Sequence, residues 1–296
     1  MPKVTANGIQ IEYDTFGDPS DPPLLLISGN RAQLVGWPEP LRDQLAEQGF
    51  RVIRFDNRDV GISSKMDDIE VPTVFEIIAS REKGEEVRIP YTLDDMADDT
   101  IGLLDALDIE KAHIFGVSMG GMIAQLMAIR YPSRVLTLIS MMCGTAGTPI
   151  ENVKPELVSF GLTPMPADRA GYVEYNIKLH QLLAGSRFPL DKRLARQIAQ
   201  LSYDRCYCPQ GVDRQMAAIM SAWDRTHALN SVKSPTLVIL GSEDPAIAVD
   251  DSRAVAEAVP GAELLIIEGL GHGLLFPDIW SLWVESVTKH IRKADG

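Results

Sequence analysis

The chain has 296 residues, 45% of them hydrophobic, enough for one large domain or for a core domain carrying an insertion. Its formal charge of −13 opposes binding to nucleic acid or to an anionic membrane surface, since both would repel it. Three cysteines (Cys143, Cys206 and Cys208) are too few and odd in number for a disulfide framework, and nothing near Cys206 and Cys208 completes a zinc ligand set.

The first residues, MPKVTANGIQIEYD, lack the basic and apolar regions of a signal peptide. No apolar run approaches the ~18 residues of a membrane span, so a cytoplasmic protein without membrane insertion is expected. Lys3 to Phe16 reads as a hairpin turning at Asn7-Gly8. Pro22 and Pro23 lead into LLLIS, a continuous apolar run of the kind buried in a parallel sheet. Pro38 to Gln48 has helical periodicity and stops at Gly49, and RVIRFD is the next strand, ending at Asp56.

From Lys65 to Pro90 charges crowd in, and an excursion with one short helix is expected. Thr92 opens a helix that runs to about Leu107, with Asp95 at the capping-box spacing. AHIFGV is a strand, Met119 to Arg130 a helix, and RVLTLISMMC a further strand. Residues 144–230 contain no convincing strand but several amphipathic stretches, among them LARQIAQL and RQMAAIMSAW. TLVILG, Ser252 to Val259, AELLIIEG and Pro277 to Arg292 then read as strand, helix, strand and closing helix. Strands alternating with helices imply an α/β fold with a mostly parallel sheet flanked by helices. The division expected is a core of residues 1–143 and 231–296 with an inserted helical cap over 144–230.

Within that frame Gly116-Val117-Ser118-Met119-Gly120 fits G-x-S-x-G at the strand-to-helix junction that the motif requires. A serine on so sharp a turn sits in strained backbone, and side chains two residues to either side would collide with strand or helix. The helix start also points main-chain N–H groups at the region above Ser118. A base and an acid are needed downstream, in the order acid then histidine. The turn after TLVILG offers both Glu243 and Asp244 at the carboxyl end of a strand. His272, between glycines after the next strand, is better placed than His113 in a strand, His180 and His227 in the strand-poor block, or His290 on the last helix.

These residues resemble those of the α/β-hydrolase superfamily over nearly the whole chain. SGNRAQLVGW is similar to its oxyanion-hole segment, with Ser28 where a histidine is common, and FDNRDVGISS to its Asp-X-Arg-Gly-X-Gly-X-Ser stretch, with Asp59 for the first glycine. GSEDP and GLGHG resemble the acid and histidine loops. Among subgroups the chain looks most like bacterial carboxylesterases and anthracycline methylesterases, which share the Gly-Trp-Pro run after the oxyanion segment.

The resemblance implies a serine hydrolase of carboxylic esters with Ser118 as nucleophile, His272 as base and Asp244, in preference to Glu243, as the acid. It assigns the oxyanion donors to the backbone N–H groups of Asn30 and Met119, and it implies a small-molecule ester substrate with no cofactor and no metal. Arg58 is expected to pair with a carboxylate, and Met141, Met142, Met165, Met216 and Met220 to supply core packing or a flexible pocket lining. Lactonase, carbon–carbon bond hydrolase and perhydrolase chemistry use the same triad and stay open, as does a ligand-binding protein on this fold. The oligomeric state is not set by the sequence.

Overall fold

The computed structural model describes residues 1–67, 71–85, 87–147 and 152–295. Residues 68–70 and 86 of the excursion expected over 65–90, residues 148–151 of the expected helical block, and residue 296 lie outside it. The strands are β1 (Lys3–Ala6), β2 (Ile9–Phe16), β3 (Pro23–Ile27), β4 (Arg51–Phe55), β5 (Ala112–Val117), β6 (Val135–Met141), β7 (Thr236–Gly241) and β8 (Glu263–Ile267). The helices are α1 (Glu39–Ala46), α2 (Val74–Lys83), α3 (Leu93–Ala106), α4 (Met119–Arg130), α5 (Pro155–Gly161), α6 (Arg169–Leu183), α7 (Lys192–Arg205), α8 (Pro209–Met220), α9 (Thr226–Leu229), α10 (Val249–Ala258) and α11 (Trp280–Asp295).

The sheet order is β1-β2-β4-β3-β5-β6-β7-β8. The hairpin pairs Ala6 with Ile9, and its turn holds both Asn7 and Gly8 at positive φ, as a two-residue hairpin of this twist requires. β2 runs antiparallel to β4, and every later pairing is parallel. Continuous apolar strands follow from covering both faces, because successive side chains point to opposite sides. Leu25, Ile27, Ile114, Leu138 and Val238 enter one core with Met96, Leu103, Ile123 and Val255. Leu24, Leu26, Phe115, Ile139 and Ile239 enter the other with Leu41, Leu45, Trp283 and Val287.

Local signals set most helix ends. Thr92 caps α3 reciprocally with Asp95, the capping box read from the sequence. α10 starts at Val249, earlier than the expected Ser252, and its first turn carries Asp250 and Asp251, whose charges suit a helix N-terminus. Pro277–Ile279 forms a 3-10 turn before α11 rather than part of the closing helix. α8 stops at Met220, short of the expected Trp223. No helix among the described residues is long and apolar enough to cross a membrane.

Between β6 and β7 the described residues contain no strand. Helices α6 and α7 build a small core of their own from Tyr172, Val173, Ile177, Ala195 and Ala199, joined by Leu275. Arg205 of α7 pairs with Asp56 and Glu12, and Arg214 of α8 grips Asp59 with two bonds of 2.9 and 2.8 Å. Gln33 Nε2 donates to the carbonyls of Ser202 and Cys206 at 2.8 and 3.0 Å. Gln33 follows β3, and Asp56 and Asp59 follow β4, so α7 and α8 cover the carboxyl ends of the parallel strands. α9 instead sends Leu229 into the core beside Val255.

Candidate active site

β4 and β5 lie on opposite sides of β3, so the loops that leave β3 and β5 part at a point where the strand order reverses. Ligands of open parallel sheets bind in the crevice at such a point. Ser118 ends β5 there, and within the buried run 112–128 it is the one residue with appreciable exposure. Its backbone stands at φ 57 and ψ −123, a conformation rare for a residue with a Cβ. The flanking glycines permit it. A Cβ on Gly116 would lie 2.0 Å from the Gly120 carbonyl oxygen, and one on Gly120 would lie 2.1 Å from that of Ile27. A Cβ on Gly29 would stand 3.1 Å from Ser118 Cβ and 3.7 Å from its Oγ, so the loop after β3 passes directly beside the hydroxyl.

Asn30 follows Gly29, and Met119 opens α4 immediately after Ser118. Among the described residues, the backbone N–H groups of Asn30 and Met119 have no acceptor. Two amides without partners on the loops flanking one hydroxyl can receive an oxygen that gains negative charge.

The two acidic candidates of the β7 turn separate cleanly. Asp244 Oδ1 accepts from the amides of Ala246 and Ile247 at 2.8 and 2.9 Å, while Oδ2 lies 2.7 Å from His272 Nδ1. An ionised carboxylate only accepts, so Nδ1 carries the proton and Nε2 is left as the basic nitrogen. Glu243 turns the other way. It accepts from the Ser186 amide and hydroxyl, both at 2.7 Å, and these bonds hold its carboxyl below the usual range.

The His272 amide donates to Leu183 O at 2.7 Å, which ties the loop to the end of α6. Adjacent residues brace both loops: Ser118 N–H donates to Met141 O at 2.8 Å, and Gly273 N–H to Met142 Sδ at 3.2 Å.

The remaining histidines stand elsewhere or lack such partners. His113 is buried against Thr137 Oγ1 at 3.0 Å, His227 is exposed, and His290 lies 3.5 Å from Glu263. His180 is enclosed near Arg31 and His272, where burial first, and then those two neighbours, push its imidazole down to about 4. Arg58 pairs with Asp99 through bonds of 2.6 and 2.7 Å. The methionines divide: Met141 and Met142 are core, Met165 packs against the small core of the helical block, and Met216 is 36% exposed. Ser28, Asn30 and Arg31 each keep a buried polar atom without a partner, and no pattern in the sequence distinguished Arg31 or His180. Among the described residues no group of three or more His, Cys, Asp or Glu side chains could hold a metal ion.

With this geometry in hand, residues 22–278 match a family described as having the alpha/beta hydrolase fold. Over 291 residues the chain is 30% identical to rhodomycin D methylesterase DauP of Streptomyces sp. (strain C5), covering 92% of this chain and 91% of that one. It is 29% identical over 262 residues to 2-hydroxymuconate semialdehyde hydrolase of Pseudomonas sp. (strain CF600), covering 84% and 80%. The crystal structure of the enol-lactonase from Burkholderia xenovorans LB400 superposes with a TM-score of 0.73 over 98% of this chain and 100% of that one. At 21% identity, that last likeness is one of fold.

Proposed function

We infer that this chain, which belongs to the α/β-hydrolase family, is a serine hydrolase that cleaves carboxylic esters through an acyl-enzyme. Ser118 Oγ attacks the ester carbonyl and His272 Nε2 takes its proton. Asp244 fixes the imidazole tautomer and stabilises the imidazolium. The amides of Asn30 and Met119 receive the oxyanion of the tetrahedral intermediate. The imidazolium returns its proton to the leaving alkoxide, and a water activated by the same nitrogen then releases the acid. No cofactor or metal takes part.

The observation that carries this is Ser118 itself, held at φ 57 between two amides that nothing else claims, while the loop of His272 is braced on the residue next to the one that braces Ser118. The methylesterase relative supports an ester of a small alcohol. The test combines a fluorophosphonate probe with turnover of an activated ester. The wild-type protein should be labelled at Ser118 and turn over many times. Ser118→Ala should lose labelling and at least ~10³-fold in kcat. Turnover retained in Ser118→Ala removes the assignment, and stoichiometric labelling of wild type without any turnover favours a ligand-binding protein.

A further inference from the structure

Among the described residues, Arg31 is the one arginine with a buried side-chain nitrogen that lacks a partner. Arg54 has Asp14, Arg58 has Asp99, Arg205 has Asp56, Arg214 has Asp59, and Arg225 has Gln125 Oε1 and the Gly144 carbonyl. Among the described residues, the guanidinium of Arg31 has neither a hydrogen-bond acceptor nor an ion-pair partner, and its Nη1 is buried. A buried guanidinium nitrogen without an acceptor is costly, because its donors lose water and gain nothing.

Its placement is fixed from several sides. Arg31 stands at φ 62, and its amide donates at 2.9 Å to Oε1 of Gln215, a fully buried residue of α8. Gln215 Nε2 is itself tied at 2.9 Å to the Arg58 carbonyl, so strained backbone at Arg31 is held by a side chain that cannot move away. The guanidinium carbon sits 5.6 Å from the ring centre of Tyr175 on α6. Arg31 and His272 are both close enough to His180 to disfavour its charged form.

The carboxylate that feels its charge, Asp213 of α8, makes no ion pair with it; burial pushes that carboxyl up, and Arg31 and Arg214 only partly offset the rise. Two further buried atoms without partners, Ser28 Oγ and Asn30 Nδ2, belong to the same four-residue segment. Donors therefore collect on the loop after β3, which passes beside Ser118.

We propose that Arg31, assisted by the Asn30 side chain, recognises a carboxylate on the substrate, so that the ester cleaved at Ser118 is a half-ester of a dicarboxylic acid. This rests on the serine-hydrolase reading for the cleavage, though not for the binding. A guanidinium meets a carboxylate with two parallel N–H···O bonds, which an ammonium or a neutral side chain does not reproduce. The neutral imidazole of His180 adds no competing anion and no second fixed charge beside it.

The experiment compares monomethyl succinate, glutarate and adipate with the corresponding dimethyl esters, following methanol release by wild type, Arg31→Met and Arg31→Lys. For the best chain length, wild type should favour the half-ester in kcat/KM. Arg31→Met should lower that preference about ten- to a hundredfold, chiefly through KM, with Arg31→Lys between them.

Calorimetry with the free dicarboxylate and with its diamide is run in parallel on wild type, Ser118→Ala and Arg31→Met. Dicarboxylate binding that survives in Ser118→Ala and is lost in Arg31→Met supports the subsite even if no ester is turned over. Equal preference in wild type and Arg31→Met, or no binding of any dicarboxylate to folded wild type and Ser118→Ala, overturns it.

Discussion

Single residues at the crevice keep their unusual states because neighbours hold them there. Ser118 and Arg31 both carry left-handed backbone, each at a cost of about 1–3 kcal/mol that surrounding contacts must offset. His180 shows the same at the level of charge. In the unfolded chain its imidazole titrates near 6.5, and in the folded protein near 4. Above the higher value both states are neutral and His180 contributes no pH dependence. Below it the unfolded chain gains a proton that the folded protein refuses, so stability falls as pH drops through that window.

Between pH 7 and 5 wild type should lose about 2 kcal/mol more than His180→Gln, measured by urea unfolding at each pH. Equal losses in the two proteins would show that His180 is not desolvated in solution. The sequence singled out His272 over His180 by its loop, but the charge state of His180 depends first on its burial and then on Arg31 and His272, which are remote from it in the chain.

At the scale of elements, the junction of β3, β5 and α4 is built by contact between backbones. G-x-S-x-G was legible because no side chain fits where Gly116 meets the Gly120 carbonyl and Gly120 meets that of Ile27. Gly120→Ala should therefore push the first turn of α4 away from the end of β3. We expect about 1–3 kcal/mol of destabilisation, together with slower fluorophosphonate labelling as the Met119 amide shifts. A variant with wild-type melting temperature and labelling rate would mean that the turn relaxes freely. The cap of α3 was equally legible, since Thr92 and Asp95 satisfy each other within one turn. The end of α8 was not, because the apolar pattern runs on past Met220 while Arg225, a few residues later, is drawn inward to Gln125 and Gly144.

Across the whole molecule, ion pairs of Arg205 on α7 and Arg214 on α8 join these helices to β2 and to the loop after β4. Asp59 is fully buried at φ 72, and its carboxylate is matched by Arg214, whose side chain is 3% exposed. Removing one member strands the other without a counter-charge. Arg214→Met should cost about 3–5 kcal/mol, and adding Asp59→Gly should recover much of it, since glycine also suits the left-handed backbone. The exposed pair of Arg169 and Asp204 offers the contrast, and Arg169→Ala should cost no more than about 1 kcal/mol. Chemical unfolding of the four proteins decides the point, and a cost for Arg214→Met as small as that for Arg169→Ala would show that this pair does not secure the helical block.

What the sequence determined by itself is everything governed by near neighbours: the alternation of strands and helices, the hairpin at Asn7-Gly8, the Thr92 cap and the glycine spacing around Ser118. Period, turn chemistry and steric exclusion act over a few residues, so they are written in consecutive letters. Two acidic residues stand side by side after β7, and their letters alone could not say which one turns toward His272. The tertiary structure divided them, sending Glu243 to Ser186 and Asp244 to His272, because the partner of each comes from a segment far along the chain. The same holds for Arg31, an unremarked letter after Asn30 until α6 and α8 close over it and leave its guanidinium without an acceptor.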